Sequence, residues 1–199
     1  MKKEKLIKKY DKHAEMYEKN RENPTLVKWR KKLIPHAYGK VLEVGVGAGA
    51  NFPYYNKDVQ LTGVDFSPEM IKSAYKAADL YNMNVTLVQE DVDHLHYEDH
   101  SFDCIVSTLS LCSYPNPLET LKNFQKWCRP DGKLLFLEHG LSSSRFLIAT
   151  QKVINPIFKK VSGCHCNRDM LKLIREAGIH IERTERYWKG VFQLIWAKP

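Results

Sequence analysis

VLEVGVGAG, residues 41–49, is the stretch that decides the fold. It joins a short apolar run, Val41-Leu42-Glu43-Val44, to glycines at alternate positions, Gly45, Gly47 and Gly49. An apolar run of this length bounded by glycine is a buried strand entering a tight turn. Glycine lets the turn backbone come close to a ligand and opens the N-terminus of the helix that follows. Further along, Val59–Val64 makes a second strand. Ser67 then caps a helix that has Pro68 at its first position and Met70, Ile71, Ala74 and Ala77 as its buried stripe. Val85–Val88 and Phe102–Leu109 are the third and fourth strands. A helix from Pro117 carries Leu118, Leu121, Phe124 and Trp127 to a stop at Arg129-Pro130-Asp131-Gly132, and Lys133–Glu138 is the fifth strand. A helical stretch over Phe146–Val161, interrupted near Pro156, is followed by a helix over Arg168–Ala177 that Gly178 ends. Ile179–Arg186 and Val191–Ala197 pair as a hairpin around Trp188-Lys189-Gly190. Strands alternating with helices and closing on a hairpin predict an α/β, doubly wound, seven-stranded sheet, mostly parallel with an antiparallel C-terminal hairpin strand.

Before the first strand lie about 30 polar, helix-prone residues, with Leu6, Tyr10, His13 and Tyr17 spaced to share one face and Pro24 dividing two helices. Nothing linker-like divides the chain, so residues 1–199 are expected to form one domain, with helical segments at 1–38 and 140–178. The 199 residues are 43% hydrophobic and 27% charged, a balance that excludes collagen-like and disordered chains. No apolar run approaches the ~20 residues of a membrane span, and the Lys-rich start lacks the apolar stretch of a signal peptide. Five cysteines, an odd number, argue for a reducing compartment, and a cytoplasmic location is expected. The net charge of +8 is concentrated at Lys2, Lys3, Lys5, Lys8, Lys9 and Lys12, opposed by Glu4 and Asp11. Such a run is either a solvated helix face or a peripheral contact for an anionic membrane surface. No nucleic-acid module is visible, so nucleic acid is not an expected partner.

Open α/β sheets bind ligands at the carboxyl ends of their strands. Gly45, Gly47 and Ala50 formally fit the G-x-G-x-x-(G/A) dinucleotide fingerprint, and a nicotinamide oxidoreductase is one alternative. Glu43 argues against it: a carboxylate at the strand tip repels a pyrophosphate but suits the ammonium of a methionine group. Asp65, 20 residues after Gly45, is placed to accept from ribose hydroxyls, which both cofactors require. Asp91, in Val88-Gln89-Glu90-Asp91-Val92, can receive an adenine amino group. Each acid also has a plainer role, as an ion-paired strand end or as a turn or cap residue.

VLEVGVGAG (41–49), VDFSPEM (64–70), QEDV (89–92), SFDCIVSTLSLCSY (101–114) and CRPDGKLLFLEHG (128–140) together resemble the class I S-adenosylmethionine-dependent methyltransferases. That resemblance implies a Rossmann-like sheet, S-adenosylmethionine as cofactor and S-adenosylhomocysteine as product. YDKHAEMYE (10–18) is similar to the lid helix of the quinone-biosynthesis type, which implies that Tyr10 and Tyr17 close over the cofactor. NFPYY (51–55), STLSLCS (107–113), FLEHG (136–140), Gly163-Cys164 and Arg168 resemble the methyltransferase-like seven group, which itself is similar to alkyl-thiol S-methyltransferases and bacterial phospholipid N-methyltransferases. Membrane-resident members of the thiol group carry an apolar N-terminal anchor, where this chain has a Lys-rich helix. The resemblance further implies that Gly45, Gly47 and Gly49 pack on the methionine portion and that Asp65 holds the ribose. Phe66 and Met70 would flank the adenine, Asp91 and Val92 take its edge, and Thr108, Leu109 and Ser110 line the transferring methyl. Asn51 and Ser67 are counted with this cofactor-binding set.

A sulfonium methyl needs little activation, so the protein's work is alignment, which supplies roughly 7–11 kcal/mol of barrier lowering. A thiol with a pKa of about 8.5 needs modest help to ionise. Glu138 and His139, at the end of the fifth strand, are the candidate catalytic helpers. A small, fairly apolar acceptor such as a thiol is expected; a phospholipid or other amine, or binding without catalysis, are the alternatives. The (D/N)PP(Y/F) signature of amino-group methylation is absent, since Ser107-Thr108-Leu109-Ser110 follows the fourth strand and Pro115-Asn116-Pro117 has the wrong order. Cys164-His165-Cys166 has no second ligand pair at zinc spacing, so no metal is expected. Cys104 and Cys112 are taken as small buried apolar residues. Phe146, Leu147, Ile148, Val153, Ile154, Ile157, Phe158 and Val161 are expected to be core or an acceptor wall.

Overall fold

The run that begins at Lys40 is hydrogen-bonded on both sides, because both of its neighbours are equally apolar. β1 (Lys40–Val44) pairs in parallel with β2 (Gln60–Asp65) and with β4 (Phe102–Thr108). β2 pairs in parallel with β3 (Val85–Gln89), and β4 with β5 (Cys128–His139). β7 (Phe192–Lys198) lies antiparallel between β5 and β6 (His180–Tyr187). The computed structural model describes residues 3–199, so Lys2 of the basic run lies outside them. These residues form a seven-stranded sheet in the order β3-β2-β1-β4-β5-β7-β6. Chain order reverses between β1 and β4, and there the carboxyl ends of neighbouring strands open a crevice.

The two faces of the sheet carry separate cores because strand side chains alternate. Val41, Cys104, Val106, Leu135 and Leu137 meet α2 (Pro24–Leu33) and α3 (Pro68–Tyr81) through Trp29, Leu33, Ile71, Ala74 and Ala77. Leu42, Val44, Ile105, Leu134 and Phe136 meet α4 (Pro117–Trp127) and α6 (Met170–Glu176) through Leu121, Phe124, Leu171 and Ile174. Ser67 caps α3, its Oγ accepting from Met70 N at 3.2 Å, as its position ahead of Pro68 predicts. Asn23 caps α2 in the same way. The remaining helices are α1 (Lys3–Lys19) and α5 (Arg145–Ser162).

Four local expectations are corrected. β5 starts at Cys128, not Lys133: Phe102 pairs with Cys128, then the register shifts until Cys104 faces Lys133. Arg129-Pro130-Asp131-Gly132 is therefore an excursion within the strand, held by Arg129 Nη1 donating to Asp103 Oδ1 at 2.6 Å. α5 runs through Pro156 unbroken. Ties from the turn just before the proline hold it: Gln151 Nε2 donates to Gly140 O and Cys166 O, and Asn155 Oδ1 accepts from Cys166 N. α6 starts at Met170 because Asp169 accepts from Lys172 N as its cap; Arg168 stays outside and donates to Leu111 O and Tyr114 O. Finally, the apolar outer stripe of α5 is not core. Phe146, Val153, Ile157 and Val161 are 79%, 76%, 68% and 67% exposed, and Gln151 is the buried residue of that helix.

Candidate active site

A cavity of about 340 Å³ opens where β1, β2 and β4 end. Its floor is Glu43 and Val44 with the turn residues Gly45, Val46, Gly47, Ala48 and Ala50, and Asn51 behind them. Val64, Asp65, Phe66 and Met70 form one wall and Thr108, Leu109, Ser110, Ser113 and Tyr114 the other, with Glu90 and Val92 at a third side. The N-terminal helical segment closes the remainder with Tyr10, Met16, Tyr17, Asn20, Asn23, Leu26 and Arg30.

Gly45 and Gly47 have positive φ, +74° and +53°. A Cβ on Gly45 would stand 2.5 Å from Ser110 Cβ, so the turn and the loop after β4 touch only because the side chain is absent. At Gly47 nothing lies within 4 Å of that position, which leaves its backbone bare toward the cavity. Gly49 is different: it lies outside the cavity, pressed against Phe52 and Ala77. Leu109 is a non-glycine residue at φ +56°, fixed by its N–H donating to Leu137 O at 2.7 Å. Residues held in such conformations cost on the order of 1–3 kcal/mol and gather at functional sites.

The charged groups form a connected set. Glu43 is 1% exposed; Tyr55 Oη donates to its Oε2 and Asn51 Nδ2 to its Oε1, both at 2.8 Å. Burial pushes its carboxyl up to about 7, against these two hydrogen bonds and the nearby Arg30. Asn51 Nδ2 also donates to Thr108 Oγ1 at 3.0 Å, while its Oδ1 accepts from Arg30 Nε at 3.0 Å. Arg30 is 6% exposed, and its Nη1 has no hydrogen-bond partner among the described residues. A buried, unpaired guanidinium nitrogen is costly and calls for an anion. Asp65 Oδ2 accepts from Gly47 N at 3.0 Å and Oδ1 from Ser67 N at 2.9 Å, and burial pushes this carboxyl up to about 6. The Tyr10 ring stands edge-on to Phe66 at 5.4 Å and 6.2 Å from Tyr17. Burial raises both phenols, Tyr17 to about 12.

The structure thus brings Tyr10, Tyr17, Glu43, Gly45, Gly47, Asn51, Asp65, Phe66, Met70, Val92, Thr108, Leu109 and Ser110 to one cavity. Ser67 serves the cap of α3 and donates its hydroxyl to Asp11 Oδ1 at 2.6 Å, tying α1 to α3. Asp91 stands between two cavity residues, Glu90 and Val92, and its Oδ1 accepts from Asp93 N. Glu138 and His139 lie outside the cavity lining. Glu138 is fully buried, and its Oε1 accepts from Ser107 Oγ, Ser110 N and Leu111 N at 3.0–3.1 Å, so it anchors the cavity-forming loop after β4. Burial pushes this carboxyl up to about 7 as well. His139 instead meets Cys112 and Cys164, their donor atoms within 4.8 Å of one another. Cys166 points elsewhere, its Sγ toward Gln151 O.

Arg30, Met16, Asn20, Asn23, Leu26, Glu90, Ser113 and Tyr114 were not among the expected site residues. One signal existed for Arg30: it interrupts the apolar face Leu26-Trp29-Leu33 of α2, where a cation needs a reason to be buried.

A family model described as a methyltransferase domain matches residues 42–136. A phosphatidylethanolamine N-methyltransferase of Cereibacter sphaeroides is 28% identical over 79% of this chain and 78% of its own length. The thiol S-methyltransferase TMT1B of Rattus norvegicus is 33% identical over 69% of this chain; the chain spans only 58% of that relative. Among solved structures, the [4+2]-cyclase SpnF superposes with a TM-score of 0.69 at 16% identity, over 87% of this chain and 79% of that one. A fold shared with a cyclase does not name the reaction. By the matched span and these relatives, the chain carries a methyltransferase domain over residues 42–136 and is similar to S-adenosylmethionine-dependent methyltransferases.

Proposed function

We propose that the cavity binds S-adenosylmethionine and that the protein transfers the methyl group to a small, fairly apolar acceptor, with a thiol as the first candidate. The observation that carries this is that Arg30 and buried Glu43, a cation and an acid linked through Asn51, both line one cavity. Such a pair fits the carboxylate and ammonium of an amino-acid end, and a pyrophosphate would find Glu43 repulsive. Asp65, held by Gly47 and Ser67 N–H groups, keeps lone pairs for ribose hydroxyls. Tyr10, Tyr17 and Met16 on α1 cover the site and exclude water. S-adenosylmethionine, when bound, supplies an already reactive sulfonium methyl; the chain orients the acceptor along that bond. Thr108, Leu109 and Ser110 stand at the strand end where the acceptor would be aligned, and no strong base is required of them.

A second acceptor has its own observation in support. The exposed stripe Phe146, Val153, Ile157 and Val161 of α5, beside Lys152 and Lys160, suits a lipid surface and so a phospholipid amine. No described helix is long and apolar enough to cross a membrane.

Two measurements test the proposal. A melting-temperature comparison should show stabilisation by S-adenosylhomocysteine and none by NADH; the reverse overturns it. Labelled methyl transfer should then be followed to thiols, amines, phenols and phospholipid vesicles. Turnover of hydrophobic thiols is expected. Preference for vesicles selects the second acceptor, and cofactor binding with no transfer to any of them would leave a binding protein.

A further inference from the structure

Three residues far apart in the chain meet outside the cofactor cavity. Cys112 lies in the loop after β4, His139 ends β5, and Cys164 follows α5. Each offers one donor atom, two sulfurs and an imidazole nitrogen, and all three atoms lie within 4.8 Å of one another. Both cysteines are buried, and His139 is half-buried between Phe158 and Phe192 at ring distances of 6.1 and 6.2 Å. The Tyr10 hydroxyl, whose ring lines the cavity, is 3.6 Å from Cys164 Sγ.

This convergence is held by the fold rather than by local sequence. His165 N donates to Cys112 O at 2.9 Å, which fixes the two cysteine-bearing loops against each other. Glu138 pins the loop that carries Cys112, and Arg168 ties it to the segment after Cys164. The neighbouring His165 and Cys166 are engaged elsewhere, with Asn155 and Gln151. Three donors pre-placed by separate elements are the arrangement that a soft divalent cation requires. With metal–sulfur bonds of about 2.3 Å and metal–nitrogen bonds of about 2.0 Å, the ligand atoms of a tetrahedral zinc site stand about 3.5–3.8 Å apart. Two thiolates and one imidazole select zinc-like ions over magnesium or calcium, which prefer oxygen.

We propose that Cys112, His139 and Cys164 form a binding site for a soft divalent cation of the zinc class, beside the cofactor cavity and separated from it by Tyr10. Three protein ligands leave a fourth position open, as in zinc sites that take water or a substrate. Binding converts the cysteine thiols to thiolates and releases their protons to solvent. The site stands apart from the methyl-transfer proposal, because its test measures metal and not turnover.

The reduced, metal-stripped full chain is titrated with zinc and, in parallel, with cobalt(II). One equivalent of zinc is expected, together with thiolate-to-cobalt charge-transfer absorption. Cys112→Ser with Cys164→Ser should weaken zinc by more than about 100-fold, above the 10–100-fold that removal of an outer partner costs. Cys166→Ser should bind as the unaltered chain does. Far-ultraviolet circular dichroism and a cooperative thermal transition report whether each variant is folded. If the double variant does not fold, the cobalt spectrum of the unaltered chain decides. Substoichiometric zinc, a cobalt complex without thiolate bands, or one equivalent retained by the folded double variant overturns the proposal.

Discussion

Arg30 and Glu43 show what a single residue reveals when its surroundings are counted. Arg30 Nε donates to Asn51, its Nη1 is buried with no partner among the described residues, and the residue lines the cavity, so a cationic group stands where an anionic ligand end fits. Arg30→Met should weaken S-adenosylhomocysteine by about 10–100-fold, the 1.5–3 kcal/mol of a hydrogen bond to a charged group. Methylthioadenosine, which lacks the amino-acid end, should bind unchanged; equal losses for both ligands would place Arg30 elsewhere in recognition. Glu43 adds a pH dependence. Its carboxyl sits at about 7 in the free protein, and an ammonium ligand needs it ionised. Affinity for S-adenosylhomocysteine should therefore fall as pH drops below 7, and calorimetry on Glu43→Gln should find the part of that slope between about 6 and 7 removed. Methylthioadenosine should weaken only below about 6, where Asp65 takes up its proton. Glu43 and Asp65 were legible as site residues because each follows an apolar strand at its tip. Arg30 was harder to see, since a basic residue in a Lys-rich helical segment has no sequence mark of burial beyond its place on an apolar face.

At the scale of elements, the cavity depends on two turns that touch. Gly45→Ala would drive a Cβ to 2.5 Å from Ser110 and hold φ at +74°, so a loss of about 1–3 kcal/mol in denaturant unfolding is expected. Gly47→Ala meets no neighbour, and its loss should stay near the ~1 kcal/mol of the left-handed conformation, with weaker cofactor binding because the methyl enters the cavity. The loop after β4 is anchored from below by Glu138. Its pKa is raised above the ordinary value of 4.5 to about 7, so the folded state holds this proton more tightly than the unfolded one. The resulting stability is complete below pH 4.5 and is lost as pH rises through 7. Relative to Glu138→Gln, the unaltered protein should lose on the order of 3 kcal/mol across that window, at about 1.36 kcal/mol per unit. Parallel unfolding curves at pH 5 and pH 7.5 would contradict this. Strands were visible from their apolar runs and α3 from its cap, because those signals are local. The β5 excursion at Arg129–Gly132 and the continuity of α5 through Pro156 were not. Asp103, Gln151 and Asn155 decide them through contacts 11 to 26 residues apart, against a turn signal and a helix breaker that point the other way.

Across the whole molecule, the alternation of strands and helices implied a mostly parallel sheet closing on an antiparallel hairpin, while the order β3-β2-β1-β4-β5-β7-β6 was not read from the sequence. What alternation cannot show is which apolar helix faces remain uncovered. α5 carries enough apolar residues to pass for core, but Gln151 faces inward and Phe146, Val153, Ile157 and Val161 face out. Lys152 and Lys160 are exposed on the same helix. Lys9 Nζ reaches Lys160 O and Val161 O, which brings the basic face of α1 against the end of α5. An apolar stripe bordered by cations is the pattern of a helix that lies in a lipid interface, where each basic residue near an anionic surface contributes about 1 kcal/mol. The protein should therefore sediment with vesicles rich in anionic lipid and remain in the supernatant with zwitterionic ones. Added salt should weaken the contact, because a Debye length near 8 Å at physiological ionic strength shortens to about 3 Å at 1 M. Val153→Asp with Ile157→Asp should reduce partitioning by more than tenfold, since each change removes roughly 1.5–3 kcal/mol of apolar burial and adds a repelled charge. The fold should be untouched, both side chains being mostly exposed. Equal binding to zwitterionic vesicles would assign the contact to apolar insertion alone. Unchanged binding by the double variant would move it off α5 and onto the lysines of α1.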